Sequence, residues 1–189
     1  MFQGLLSVAL LAAAATPAFS QAPALNPMST FLKTMYTNNF NNILRTADKM
    51  PEENYGMRPG SQKEVRTFGQ QVAHAAKFSF LWCAQAKGEK NPWAGKDPEQ
   101  LTSKAEILKV AQDSFAYCSE VYSNLTDASG AETIDVTQEN GRQTKNLRMG
   151  LLILNYGHNA EIYGSMVSYL RMKDLVPPAS EPRPAAKKQ

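Results

Sequence analysis

Histidine and cysteine are scarce in this chain, with two of each in 189 residues. That scarcity excludes four-cysteine zinc ribbons and iron–sulfur sites, which need more thiolates than the chain holds. No Cys-x-x-Cys pair, Gly-rich phosphate loop or Gly-x-Ser-x-Gly elbow occurs, so most redox, nucleotide and serine-hydrolase chemistry is removed as well. No internal repeat is present. The formal net charge is only +3, and the segment from Ala179 supplies +2 of it through Arg183, Lys187 and Lys188 against Glu181. The body of the chain therefore has no basic face with interleaved aromatics, and nucleic acid is not an expected partner.

Residues Met1 to Ser20 hold an apolar run, LLSVALLAAAATPA, that ends in Ala18-Phe19-Ser20. A small-x-small ending of this kind suits signal-peptide cleavage before Gln21. The run is too short and too rich in alanine to make a good membrane span, so no span is expected after cleavage. The protein is then periplasmic or secreted. The expected organisation is a signal peptide over 1–20, a linker over 21–27, one domain over 28–178, and a disordered Pro/Ala/Lys tail over 179–189. In an oxidising compartment the even pair Cys83 and Cys118 admits a disulfide between the second and third helices. The other reading is two small buried side chains.

The rest of the chain reads as all-α. Pro27 to Met50 forms a first helix, with Ser29 or Thr30 as cap and Leu32, Met35, Asn39, Ile43 and Met50 along its inner stripe. Asn39 stands where leucine is expected, which marks it either as a hydrogen-bonded core amide or as a pocket-lining residue. Lys63 to Lys87 forms the second helix, with Val65, Phe68, Val72, Ala75, Ser79 and Trp82 on one side and His74 on the flank. After a polar loop over 88–101, a capping box at Ser103-Lys-Ala-Glu106 opens the third helix, whose stripe is Leu108, Ala111, Phe115, Cys118, Tyr122 and Leu125. A long connection over 128–143 carries a short alternating run at Thr133 to Thr137. The last helix, capped by Thr144, occupies the apolar stretch from Leu147 toward Pro177-Pro178. On a 3.6-residue period it aligns Leu147, Leu151, Leu154, His158, Ile162, Ser165 and Tyr169, which places a histidine in an apolar stripe.

Three segments carry a family likeness. His158-x-x-x-Ile162-Tyr-Gly164, followed by Tyr169-Leu170-Arg171 and Val176-Pro177-Pro178, resembles the last helix of the DinB/YfiT-like metalloenzyme superfamily. Tyr55-x-x-Arg58-Pro59 resembles its first interhelical link, and Phe68-Gly69 with His74 resembles its second-helix ligand segment. The likeness covers about residues 28 to 178. It implies an up-down four-helix bundle with one long connection before the last helix, and a divalent metal such as zinc, nickel or iron held by three histidines. It further implies an unknown small-molecule substrate in hydrolase- or thiol-transferase-like chemistry, and pairing of two copies through their helices. Both histidines of this chain fall on the implied ligand positions, but Ile162 stands where the third imidazole is expected.

Isoleucine cannot coordinate a cation, so a third ligand has to come from elsewhere. Glu161, three residues on from His158, is the nearest candidate. Cys83, nine residues beyond His74, lies about 13 Å along the same helix and is too far away. Two functions follow: weak metal binding at His74, His158 and Glu161, or a binding or structural bundle whose metal site is lost and whose pocket includes Asn39. Export itself is testable at once. N-terminal sequencing of protein recovered from its native host is expected to begin at Gln21, and a mature chain beginning at Met1 in the cytoplasm refutes the assignment.

Overall fold

The computed structural model of the protein describes residues 26–138 and 140–182. The expected signal segment over 1–20 and the end of the expected tail lie outside the described residues. Four long helices form the bundle: α1 (Pro27–Lys49), α2 (Phe68–Lys87), α3 (Lys104–Asn124) and α5 (Arg148–Arg171). A single-turn helix α4 (Asp127–Gly130) and an antiparallel hairpin of β1 (Thr133–Thr137) and β2 (Gln143–Leu147) connect α3 to α5. The alternating run is thus a strand, and Thr144 lies within β2 and does not cap α5.

Local chemistry sets the helix ends. Thr67 and Gln70 make a reciprocal capping box, so α2 starts at Phe68 and not at Lys63. Gly88 ends the same helix with φ of 76°, a left-handed conformation that glycine adopts without steric cost. Helix α1 opens on Pro27 at its first position, and neither Ser29 nor Thr30 caps it. Its free Met28 and Ser29 N–H groups donate instead to the Asp127 carboxylate, at 3.2 and 2.8 Å.

Helix α1 and helix α2 each pack against both α3 and α5, and so stand at opposite corners of the bundle. Their partners reveal the directions. Gly69 lies under Ile107, and Cys83 is bonded to Cys118, so α2 and α3 run parallel. Ala86 meets Arg148 while Arg66 meets Tyr169, so α2 and α5 run antiparallel. The all-α bundle expected from sequence is present, but its order is up-down-down-up. Because α3 restarts at the end where α2 began, the link from Gly88 to Ser103 must travel back along the whole of α2. Twenty residues of helix measure about 30 Å, which explains why that link is long.

The buried faces differ from the expected stripes by about one residue. On α1, Tyr36 and Phe40 are fully buried, whereas Met35 and Asn39 are half-buried. Tyr36 stacks on Tyr122 of α3 with ring centroids 4.0 Å apart, and Phe40 stacks on Phe115 at 5.2 Å. Aromatic pairs of this kind contribute about 0.5 to 1.5 kcal/mol each beyond burial. On α5 the core face is Leu151, Leu152, Asn155, Asn159, Ile162, Met166, Tyr169 and Leu170. Leu147 and Leu154 are 54% and 55% exposed and Ser165 is exposed, which puts His158 at the edge of the buried stripe and not at its middle. After α5 the chain folds back, and Glu181 pairs with both Arg45 and Lys49 of α1. Ala179 to Glu181, assigned to the tail by sequence, thus rest on α1.

One polar node ties three helices together. Ser79 Oγ and Asn159 Nδ2 both donate to Asn155 Oδ1, at 3.1 and 2.9 Å, while Asn155 Nδ2 donates to Tyr122 at 3.2 Å. The Cys83–Cys118 disulfide lies beside it, with Cα atoms 5.5 Å apart and the Asn155 amide 3.5 Å from Cys83 Sγ. The bridge spans a sequence separation of 35 residues. Closing a loop of that size stabilises the fold by about 3 to 4 kcal/mol through the unfolded chain. Denaturant unfolding with and without reductant is expected to show a loss of that order, and equal midpoints would rule it out.

Candidate functional site

The two histidines meet across the α2–α5 seam. His74 is 6% exposed on α2, buried where the sequence placed it on a flank. His158 faces it from α5 with ring centroids 4.9 Å apart. Phe78 and Trp82, one and two turns on from His74 along α2, lie 5.0 and 5.2 Å from the His158 ring. The result is a half-buried imidazole flanked by three rings, and its Nε2 is buried without a hydrogen-bond partner. An orphaned ring nitrogen in such a place marks strain, an ordered water or a ligand.

Glu99 completes the arrangement, and the sequence did not mark it. Its Oε1 lies 2.8 Å from His74 Nδ1, and its Oε2 accepts from Arg66 Nε, also at 2.8 Å. Lys77 Nζ lies 3.6 Å from Oε1. The returning link brings Glu99 here, because it passes His74 on its way back along α2. A short turn over Pro98–Gln100, opened by Asp97 accepting from the Glu99 backbone N–H at 3.2 Å, fixes the approach. The Asp97-Pro98-Glu99 run is a legible turn signal, but nothing local tells which helix it will lie against. With Nδ1–H donated to Glu99, the His74 lone pair is left on Nε2. A carboxylate that orients a histidine in this way is a common arrangement behind metal ligands.

The other sequence candidates are not brought in. Glu161 is exposed on the outer side of α5 and makes no hydrogen bond to either ring. Ile162 is 5% exposed and belongs to the core. Asn39 stands on α1, across the bundle from α2, and its buried Oδ1 has no partner. Cys83 is consumed by its disulfide. Among the described residues, no group of three or more His, Cys, Asp or Glu side chains is placed to hold a metal ion. The donor set is two imidazole rings side by side across the seam. It does not fit a three-ligand catalytic centre, because Glu99 is already taken by His74, Arg66 and Lys77.

These features agree with what the chain resembles. A family model described as the DinB superfamily matches residues 35–160. The chain belongs to the DinB superfamily. Among solved structures, the crystal structure of a DinB-like protein from Bacillus cereus ATCC 10987 superposes with a TM-score of 0.59 at 17% identity, covering 78% of this chain and 93% of that one. No curated protein matches. The superfamily assignment and this superposition establish the bundle, and within the DinB fold the chemistry still has to be read from the residues.

Burial lowers both histidine pKa values below the ordinary 6.5. For His74 the Glu99 hydrogen bond opposes this, while Arg66 and Lys77 reinforce it; for His158 the neighbouring His74 and Arg66 reinforce it, against Glu161. Burial pushes Glu99 upward, but its hydrogen bonds from His74 and Arg66 outweigh this and hold it below the usual carboxylate range. With the folded histidine pKa below the unfolded one, the unfolded chain binds more protons in between. Their contribution to stability is therefore fully present above about pH 6.5 and is lost as pH falls below it. Denaturant midpoints of metal-free protein at pH 7.5 and 5.5 are expected to differ clearly, and the difference is expected to shrink in the double variant His74→Gln/His158→Gln. An undiminished difference in that variant would assign the loss to other groups.

Proposed function

We propose that this DinB-superfamily protein is exported and takes up a metal ion weakly through His74 and His158, as a binding protein and not as a hydrolase or thiol transferase. The observation that carries the reading is the buried, unpartnered Nε2 of His158 beside a His74 whose Nδ1 is held by Glu99. The two imidazole rings thus lie side by side on one seam, with centroids 4.9 Å apart. A bound divalent ion supplies Lewis acidity, but catalytic centres of this type take three protein ligands and keep a further position open. Ile162, which stands where the likeness implies a third imidazole, is a buried aliphatic side chain and offers no donor. What this chain's residues do is orient one imidazole through Glu99 and shield the other behind Phe78 and Trp82.

Export rests on the Ala18-Phe19-Ser20 cleavage pattern, and two features are compatible with it. The disulfide belongs to an oxidising compartment, and no helix among the described residues is long and apolar enough to cross a membrane. A small molecule that completes the coordination of the ion is the partner expected at the seam.

Titration calorimetry with Zn²⁺ tests the site. Wild type is expected to bind weakly and His158→Ala not at all. Ile162→His, which adds an imidazole one turn from His158, is expected to bind at least tenfold tighter, equivalent to about 1.4 kcal/mol. The same change is expected to lower apo stability, since a buried aliphatic side chain gives way to a polar ring that needs a partner. Tight wild-type binding that disappears in Glu161→Ala would mean that α5 turns to rebuild a third ligand. No gain in Ile162→His with the fold intact would mean that the histidines do not face a common point, leaving a structural bundle with a vestigial site.

A further inference from the structure

We propose that a cleft beside the C-terminal half of α2, apart from the histidine seam, binds a small organic carboxylate, its charged head at Lys90 and its short apolar group on Leu81 and Ala84. The cleft has a volume of about 600 Å³, within the range of small-molecule sites. Neither histidine lines it, so it stands or falls independently of the metal reading above.

Local chain chemistry preforms this cleft. Gly88 ends α2 in a left-handed conformation, and the Glu89 N–H donates back to the Ala84 carbonyl at 2.9 Å, which turns the chain alongside the helix. Asn91 Oδ1 then accepts from the Trp93 N–H at 2.9 Å, and the Trp93 ring packs on Phe80 with centroids 6.1 Å apart. Gly95, with φ of 79°, makes a second left-handed turn at the rim. Thr137 of β1 closes the far side, its hydroxyl held by the Gln143 amide. Hydrogen bonds and packing thus fix the walls before any ligand arrives, which lowers the ordering cost of binding.

The lining is amphipathic. Leu81 and Ala84 supply apolar surface, and Gln85, Glu89, Lys90 and Asn91 supply polar walls. Glu89 is already engaged: its Oε1 lies 3.0 Å from Lys87 Nζ, and its Oε2 accepts from the Tyr117 hydroxyl at 3.2 Å. Lys90 has no carboxylate within ion-pair distance among the described residues, nor does the Gln85 amide have a hydrogen-bond partner among them. The bond from Trp93 occupies Asn91 Oδ1 and leaves the Nδ2 donors unused. One unpaired cation and several amide donors beside hydrocarbon call for an anionic head on an apolar body.

The position in the fold selects a carboxylate over a phosphate. A phosphate dianion is usually met by an arginine fork or by the N-terminus of a helix. This cleft has neither and lies at the C-terminal end of α2, whose dipole opposes negative charge, and a dianion most. The last carbonyls are capped, Ala84 and Gln85 by the Gly88 and Glu89 N–H groups and Ala86 by Arg148. A single negative charge balanced by Lys90 is therefore tolerated.

The experiment uses the mature, oxidised, metal-free protein at pH 7 and low salt, titrated with sodium hexanoate and followed by proton–nitrogen NMR. Hexanol, which has the same chain without the charge, and inorganic phosphate are titrated in parallel. Hexanoate is expected to saturate at least tenfold more tightly than either. The side-chain amides of Gln85 and Asn91 and the backbone amides of Ala94 and Gly95 are expected to shift first. Lys90→Gln is expected to weaken hexanoate by at least tenfold and Lys90→Arg to retain it, with circular dichroism unchanged in both. Ala94→Phe, on the exposed link, is expected to block the cleft to hexanoate. Hexanol as tight as hexanoate, or hexanoate unchanged in Lys90→Gln, would overturn recognition of the charge. Phosphate bound more tightly than hexanoate would overturn the carboxylate class. Shifts gathered about His74 and His158 would put the acid on the seam, and no saturable shift would mean no site; either result overturns the inference.

Discussion

The side chain of Asn155 is the point on which the rest of the structure turns. Its carbonyl accepts from Ser79 of α2 and Asn159 of its own helix, and its amide reaches Tyr122 of α3 and the disulfide that joins α2 to α3. A fully buried amide is costly without partners and a strong constraint with them, because only one rotation of α5 satisfies all of them together. Helix α5 otherwise carries a single charged residue, Glu161, between Arg148 and Arg171. Apolar packing alone would permit several rotations of such a helix.

That rotation decides what the site can be. With Asn155 and Asn159 facing inward, His158 is brought to the α2 seam, Ile162 enters the core, and Glu161 is carried out to solvent. The two histidines are thereby paired, and Glu161, the acidic neighbour expected beside them, is carried away. The return of the 88–103 link then delivers Glu99 to His74. One side of the pair is thus an oriented imidazole, and the other is a half-buried imidazole flanked by rings.

The four long helices, the cap at Ser103 and the helix that carries each histidine were legible because each is written in a few neighbouring residues, whereas Thr67 was passed over for a start at Lys63. The cysteines were legible only as either a bridge or two small buried side chains, and the tertiary structure joins them. The phase of α5 was not legible. A periodicity argument selects the more apolar face, and with Leu147, Ile153 and Leu154 outside, this helix offers two. Tyr36 and Phe40 were missed on α1 for a related reason: Met35 and Asn39, one residue away, give a stripe of similar apolarity, and only the facing rings of Tyr122 and Phe115 decide between them.

By itself, then, the sequence determined an all-α chain with two imidazoles on two helices and isoleucine where a third would stand. Each of these is a matter of residue identity and local conformation. Only the tertiary structure decided that α3 runs parallel to α2, that Glu99 lies against His74, and that Glu161 turns away. Those facts depend on contacts between residues far apart in the chain. Such contacts are chosen by the joint satisfaction of buried polar groups and close packing, which no single stretch of sequence encodes.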